Sequence, residues 1–248
     1  MSNKQKKTWI LAGAFTLAFG IAPAANAMHI MEGYLPGGLC IAWGVLCIPF
    51  LAAGFLSMKK TLNAHKNLIT MLAMSGAFIF VISSLKIPSV TGSCSHMTGT
   101  GLGAILFGPA AVSILGLIVL LFQAILLAHG GLTTIGANTF SMAIAGPFVS
   151  YGIFVLCKKL KVNKRFSVFL AAALGDLFTY CVTAVQLAIA HHTDVGIGEA
   201  FGKFLVIFAP TQVPLAVIEG LITMLIFMGL ETYAKPELRS MGHIKEGK

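Results

Sequence analysis

The residues best suited to chemistry follow a predicted signal-peptidase site. Ala25-Asn26-Ala27 carries small residues at the −3 and −1 positions, so cleavage after Ala27 would leave Met28 as the first residue and His29 as the second. That pair offers three nitrogens, which are the α-amine of Met28 and the backbone amide and imidazole of His29. Bound together, they close fused five- and six-membered rings around a divalent ion such as Ni²⁺, Cu²⁺ or Co²⁺. The new amino terminus is therefore predicted to be a chelating group.

One more nitrogen would complete a square plane, and His96 is the best candidate for it. His96 lies in the serine- and glycine-rich stretch 93–99, which the predicted topology places on the same face as the amino terminus. Tetragonal nitrogen sites suit Ni²⁺ and Cu²⁺, and Co²⁺ is tolerated where the protein imposes the plane. Cys94 is a softer competing ligand, and its thiolate would hold the ion too tightly for easy release.

Spacing alone leaves other interpretations open. A histidine at the second position is more often a solvated terminal residue, and a loop histidine is more often bonded to the backbone around it. Other polar side chains could orient the ligating imidazoles, namely Glu32, Ser95, Gln123, His129 and Asn138. Glu32 could equally be an interfacial residue. Asp176 and Glu219 fall inside predicted spans, where they are either functional or paired with hydroxyl groups, a neighbouring helix or a partner subunit.

These residues belong to a chain with the composition of a membrane protein. Hydrophobic residues make up 57% of its 248 residues and charged residues only 10%, against about 25% charged in a soluble domain. Such a chain cannot coat a water-facing surface, which argues against a soluble α/β enzyme, a disordered tail and a nucleic-acid-binding domain. We therefore expect an all-α polytopic membrane protein in contact with lipid and without a nucleic-acid partner.

The first 27 residues are predicted to be a cleaved signal peptide. Three lysines form a basic start, an apolar core of about a dozen residues covers 10–21, and Pro23 precedes the cleavage site. That core is short for a membrane span. An uncleaved signal anchor is the alternative. The remainder, 28–248, is predicted to be a single transmembrane metal-binding domain.

Basic residues decide the predicted topology. The apolar runs long enough to span are 38–57, 67–85, 101–128, 139–157, 166–190 and 205–230. Of the 14 basic residues after position 27, 12 fall in the clusters 59–66, 158–165 and 235–248, which should all be cytoplasmic. All three basic clusters lie on the cytoplasmic side only if the run 101–128 crosses the membrane twice, turning at Gly108-Pro109. We therefore expect about seven transmembrane helices, N-out and C-in, with six crossings and a re-entrant segment as the alternative.

Three separated motifs resemble one known family. They are MHIMEGYLP at 28–36, SCSHMTGTGLGAILFGP at 93–109 and GGLTTIGANTFSMAIAGP at 130–147. Over essentially the whole mature chain, the sequence closely resembles the CbiM/NikM family, the cobalt/nickel substrate-binding subunits of energy-coupling-factor (ECF) transporters. The first two motifs look more like the cobalt branch. Met97 departs from the proline expected there, without removing a donor atom.

The resemblance implies a site, a function and partners. The site would be square-planar, with the amino-terminal segment inserted into the helix bundle and ligands from the Met28 amine, the His29 amide and imidazole, and the His96 imidazole. The function would be capture of Co²⁺, or of Ni²⁺, from the periplasmic side of the inner membrane to supply cobalamin biosynthesis. The partners would be a small CbiN-type membrane subunit, a CbiQ-type coupling subunit and CbiO-type ATPases. The chain has no nucleotide-binding motif of its own and is not expected to be an enzyme.

Two other function classes make different demands on the sequence. A stand-alone secondary metal carrier would use Asp176 and Glu219 for proton coupling. An intramembrane metalloprotease would need an HExxH helix, and the sequence has none. The choice between cobalt and nickel rests on resemblance, because affinity at most nitrogen sites rises from Co²⁺ to Ni²⁺.

Overall fold

A computed structural model describes residues 29–88, 94–192 and 196–243. The helices within these ranges are α1 (Gly37–Ala64), α2 (Leu68–Ser84), α3 (Thr100–Phe107), α4 (Pro109–Leu127), α5 (Ile135–Lys159), α6 (Lys164–Ala190), α7 (Ile197–Tyr233) and α8 (Lys235–Ser240). Two short strands, β1 (Ile87–Pro88) and β2 (Cys94–Ser95), pair antiparallel. The predicted all-α polytopic membrane fold is confirmed. The predicted signal peptide and Met28 lie outside the described residues.

Helix length and composition follow the predicted apolar runs. Among the described residues, five helices are long and apolar enough to cross a membrane, namely α1, α4, α5, α6 and α7. The apolar helix α2 has 17 residues, which gives it a length of about 26 Å, close to the thickness of the hydrocarbon core. α5 contains a wider turn at Thr139–Ala145 with π-helical bonding, a feature often found beside functional sites.

The predicted break at Gly108-Pro109 is confirmed. α3 ends at Phe107, Gly108 takes a φ of +84°, and α4 begins at Pro109. Proline suits the first position of a helix, where its missing N–H has no intrahelical partner to lose. With eight residues, α3 is only about 12 Å long and cannot cross the hydrocarbon core alone. The buried, non-helical residues 95–99 make up part of that passage, as in other broken membrane helices that build polar sites.

The basic residues gather at one end of the bundle. Lys164 donates to Glu231 at 2.6 Å and to the carbonyl of His243 at 3.0 Å. The His243 ring lies 3.3 Å from the carbonyl of Leu106, near the end of α3. Residues from different segments line one crevice at this end, and they include Lys60, His65, Phe107 and Met241. The described parts of the three basic clusters therefore share one end, as the predicted crossing pattern requires.

Small residues bring the helix backbones close together. A Cβ on Gly136 would lie 2.6 Å from the N and Cα of Gly44, so α1 and α5 touch through their backbones. A Cβ on Gly54 would lie 2.3 Å from the carbonyl oxygen of Ala110, which brings α1 equally close to α4. In lipid, helix association depends on such close packing, because burial of apolar surface provides little driving force. The Gly136 contact also fixes the start of α5, where Asn138 lies.

Replacing Gly136 with alanine should destabilise the bundle, because the new Cβ would overlap the backbone of Gly44. Overpacking of this kind costs about 1–3 kcal/mol, which corresponds to a Tm lower by about 2–10 °C for a chain of this size. Thermal unfolding of the purified chain in detergent measures the change. Gly152→Ala is the matched control, since it lies in α5 with open space around its Cβ position. Equal Tm values for the two variants would contradict the close contact.

Candidate metal centre

The amino-terminal segment is inserted into the bundle. His29 is 3% exposed and Ile30 is 1% exposed. The N–H of Ile30 donates to Oδ1 of Asn138 at 2.8 Å, and Nδ2 of Asn138 donates back to the carbonyl of Ile30 at 3.0 Å. The hydroxyl of Thr134 donates to the same carbonyl at 2.6 Å. Asn138, predicted to orient an imidazole, instead holds the backbone next to His29.

The loop before α5 also holds Glu32. The hydroxyl and the N–H of Thr133 donate to the two carboxylate oxygens of Glu32 at 2.5 and 3.2 Å. These hydrogen bonds lower the pKa of the exposed Glu32 carboxyl below its usual value. A Cβ on Gly131 would lie 2.6 Å from the N and Cα of Glu32, so the approach needs glycine. Loop 130–134 therefore packs closely against residues 30–32 and hydrogen-bonds them.

The His96 ring is oriented by its own loop. Nδ1 lies 2.9 Å from the carbonyl of Met97, which assigns the proton to Nδ1 and leaves a lone pair on Nε2. Nε2 is in contact with Nδ1 of His29. Nδ1 is the imidazole nitrogen that closes a six-membered ring with the amide nitrogen of His29. The two facing nitrogens are thus the ones that an amino-terminal chelate completed by His96 would use.

A buried carboxylate anchors the loop that carries His96. Glu219 of α7 accepts hydrogen bonds from the N–H and hydroxyl of Thr98 at 2.6 and 2.9 Å and from the N–H of Gly99 at 2.9 Å. Gly99 has a φ of +68°, and a Cβ there would lie 3.1 Å from the Cα of Ile79. The loop therefore turns at a glycine between α2 and α7, and Glu219 satisfies its backbone donors.

Asp176 reaches the same loop through Gln212. Nε2 of Gln212 donates to Oδ2 of Asp176 at 2.5 Å and to the carbonyl of His96 at 3.2 Å. The sequence left open whether Asp176 and Glu219 are functional or merely paired, and the structure shows both supporting the His96 loop. Gln212 was missed in the sequence, although a polar residue inside an apolar span signals such a role.

A third imidazole, that of His129, completes a buried cluster. One nitrogen from each of His29, His96 and His129 lies within 4.8 Å of the other two. The His129 ring centroid is 4.4 Å from that of His29 and 4.9 Å from that of His96. Neither nitrogen of His129 has a hydrogen-bond partner among the described residues. It was predicted to orient a ligating imidazole, but it makes no hydrogen bond to either one.

The remaining predicted residues hydrogen-bond other hydroxyl groups. The hydroxyl of Ser95 hydrogen-bonds that of Thr211 at 2.7 Å, and Nε2 of Gln123 donates to the hydroxyl of Ser83 at 2.7 Å. Neither side chain hydrogen-bonds an imidazole, so these two residues support the surrounding structure.

The three imidazoles are almost fully buried, with His29 3%, His96 0% and His129 1% exposed. Burial favours the neutral form of an imidazole over the charged form. Neutral imidazole is the form that binds a metal ion. In the described part of the chain, a small cavity beside His29 and His96 is lined also by Ser141 and Thr179, and its size suits an ion better than an organic molecule.

The chain is similar to known metal transporters over nearly its whole length. The CbiM family model, described as "Cobalt uptake substrate-specific transmembrane region", matches residues 29–238. The chain is 68% identical to "Cobalt transport protein CbiM" of Lachnoclostridium phytofermentans, covering 100% of this chain and 99% of that protein. Identity to the protein of the same name from Chlorobium limicola is 57%, covering 94% and 93%.

Solved structures agree with these sequence relatives. A crystal structure of a transition metal transporter superposes with a TM-score of 0.73 at 30% identity, covering 84% of this chain and 94% of that one. A truncated transition metal transporter superposes with a TM-score of 0.71 at 30% identity, covering 83% and 99%.

Replacing Asn138 with alanine should weaken Co²⁺ binding by about tenfold or more, because two hydrogen bonds that hold the backbone beside His29 are lost. Isothermal titration of the purified chain measures the affinity. Asn163→Ala is the control, because Asn163 caps α6 by accepting from the N–H of Arg165 at 2.9 Å at the basic end of the bundle. That variant should lose thermal stability and keep its Co²⁺ affinity. An unchanged affinity in Asn138→Ala would show that the amino-terminal segment docks without the hydrogen bonds between Asn138 and Ile30.

Proposed function

The chain belongs to the CbiM family, and on that premise we propose that it is the substrate-binding membrane subunit of an ATP-driven ECF-type importer for Co²⁺. The family model describes cobalt uptake, and the relatives named above are cobalt transport proteins. Cobalt is therefore the proposed substrate, with nickel as the alternative ion. ATP hydrolysis belongs to partner subunits, and this chain binds and passes on the ion.

The proposed ligands are the α-amine of Met28, the amide nitrogen and Nδ1 of His29, and Nε2 of His96. The observation that carries this proposal is the contact between Nδ1 of His29 and Nε2 of His96 inside the bundle. Two neighbouring ligands of a square plane need such nitrogens side by side, with both lone pairs directed at one point. The assigned proton on Nδ1 of His96 leaves Nε2 free for that role.

Binding is proposed to release protons from the amino terminus. The amine has a pKa near 8 and gives up its proton at modest cost, and the ion displaces the proton of the His29 amide. A neutral imidazole binds the ion through its free lone pair and releases no proton. The deprotonated amide then supplies a negative charge directly to the ion.

Release of the ion is proposed to follow from separation of two helices. His29 is attached through Ile30 to Asn138 of α5. His96 is attached to α7 through Gln212 and Glu219. A partner that displaces α7 relative to α5 would therefore separate the two imidazoles and disrupt the square plane of nitrogen ligands.

Orientation and partners complete the proposal. The basic end of the bundle would face the cytoplasm and the histidine end the outer side of the inner membrane, with Met28 exposed by signal cleavage. The partners would be a CbiN-type small subunit, a CbiQ-type coupling subunit and CbiO-type ATPases, and the imported cobalt would supply cobalamin biosynthesis.

Inserting one alanine between Met28 and His29 should reduce Co²⁺ affinity by about a hundredfold or more, because it breaks the fused chelate rings while keeping every side chain. His29→Ala should abolish binding, because it removes the imidazole that closes the six-membered ring. Direct metal titration measures both, and sequencing of the purified chain checks that Met28 is its first residue. The control is His65→Ala, an exposed histidine at the basic end of the bundle. Wild-type affinity in the insertion variant would remove the chelate from the proposal.

Uptake of ⁵⁷Co²⁺ should require the ATPases. Cells that produce this chain with CbiN-, CbiQ- and CbiO-type partners should accumulate cobalt, and cells lacking only the ATPases should fall to the level of the empty vector. Immunoblotting checks that both strains contain equal amounts of this chain. Uptake that persists without the ATPases and disappears in Asp176→Asn would instead identify a proton-coupled secondary carrier.

A further inference from the structure

His129 takes no part in the proposed four-nitrogen site, yet it lies against both of that site's histidines. The ring is 1% exposed, and its centroid is within 5 Å of the other two ring centroids, at 4.4 and 4.9 Å. Both of its nitrogens lack a hydrogen-bond partner among the described residues. Burying a polar ring without partners is unfavourable. The missing partner is therefore something that the described residues do not supply.

The backbone holds the ring in this place. α4 ends at Leu127, and Ala128 then takes a φ of +46°, a conformation that non-glycine residues rarely adopt. The N–H of His129 donates to the carbonyl of Gln123 at 3.1 Å, and Gly130 follows with a φ of +81°. A Cβ on Gly130 would lie 3.6 Å from both Cβ and Cδ2 of His29. The turn therefore places residues 129–130 against His29, and the close approach of Gly130 to His29 limits other positions of this backbone.

Nearby hydrogen-bonding groups already have other partners. Asn138 and Thr134 both bond the backbone of Ile30. The carbonyl of Met97 faces Nδ1 of His96. An ion between the imidazoles would give a nitrogen of His129 the partner that these groups do not provide.

The four proposed nitrogens fill a plane, so a fifth nitrogen can approach the ion only from above or below it. The His129 ring is turned by 86° from the His96 ring, and one nitrogen from each of the three rings lies within 4.8 Å of the others. An apical and a planar nitrogen bound to one ion at about 2.1 Å are about 3.0 Å apart. An inward shift of the His129 ring by less than about 2 Å therefore brings its nitrogen to an apical position.

An apical nitrogen affects Co²⁺ and Ni²⁺ differently. In a strong square plane, low-spin Ni²⁺ has a filled orbital pointing out of the plane, which repels a fifth ligand. Low-spin Co²⁺ has one electron in that orbital and accepts a single apical nitrogen. By the usual order of affinities, a plane of nitrogens alone binds Ni²⁺ more tightly than Co²⁺. An apical donor raises the affinity for Co²⁺ relative to that for Ni²⁺.

We propose that His129 is an apical fifth ligand that favours Co²⁺ over Ni²⁺. The inference rests on the proposed function and deepens it, because it assigns a basis for metal selectivity to a residue outside the plane. His129 touches the bound ion from one side, while the amino-terminal chelate and His96 hold it in the plane.

The test is electron paramagnetic resonance of the full-length purified chain loaded with Co²⁺ under anaerobic conditions. The unpaired electron points at the apical ligand, so one ¹⁴N nucleus there splits the parallel cobalt lines into triplets. Protein made with ¹⁵N-imidazole histidine should show doublets instead. This comparison uses the unmodified sequence and does not depend on a variant folding. Parallel lines without nitrogen splitting, or triplets that survive the label, would overturn the proposal.

Variants then test selectivity. His129→Ala should remove the nitrogen splitting and lower Co²⁺ affinity by about tenfold while changing Ni²⁺ affinity by less than about twofold. Added imidazole should restore the triplets by filling the vacated space. His129→Phe, which fills the same space without a donor, should behave like His129→Ala and should not respond to imidazole. Equal losses of Co²⁺ and Ni²⁺ affinity would overturn the selectivity role.

The two levels of the proposal fail in different ways. If the wild-type chain with Met28 as its first residue binds no Co²⁺, the proposed function is wrong. If it binds Co²⁺ with a low-spin planar signal and no apical nitrogen, only the role of His129 is wrong.

Discussion

The contact between the imidazoles of His29 and His96 is the constraint on which the structure around it depends. Each histidine lies on a segment without regular secondary structure, buried inside an apolar helix bundle. Such segments have backbone groups that lipid cannot hydrogen-bond. Asn138 and Glu219 provide the missing partners, so the polar residues inside the helices exist to hold these two segments at a defined separation.

The two supports belong to different helices, and this arrangement links binding to helix position. Asn138 lies in α5, whereas Glu219 and Gln212 lie in α7. An ion shared by His29 and His96 would tie these helices together, and their displacement would weaken the ion's binding by the same free energy. α7 contains Pro210 and Pro214 on either side of Gln212, and proline weakens the helical hydrogen bonding there. The part of α7 that supports His96 is thus also its most readily bent part.

Much of the fold was predictable from the sequence because apolar run length and basic residues report directly on crossings. The positions of the basic clusters predicted the break at Gly108-Pro109. The contacts of the site were less predictable, since they depend on which loops meet in space. Asn138 and His129 were recognised as polar residues near the site, but their partners were not. Nothing in the spacing shows that Asn138 bonds a backbone amide, or that the ring nitrogens of His129 have no hydrogen-bond partner among the described residues.

Charge balance connects the buried carboxylates to the proposed ion. A divalent cation in a low-dielectric bundle is unfavourable unless negative charge lies close by. In the proposed site, the deprotonated amide of His29 cancels one of its two charges. Glu219 and Asp176 lie behind the same loop, bonded to it through Thr98 and Gln212. These carboxyl groups therefore lie close enough to the proposed site for their ionised form to favour a cation there.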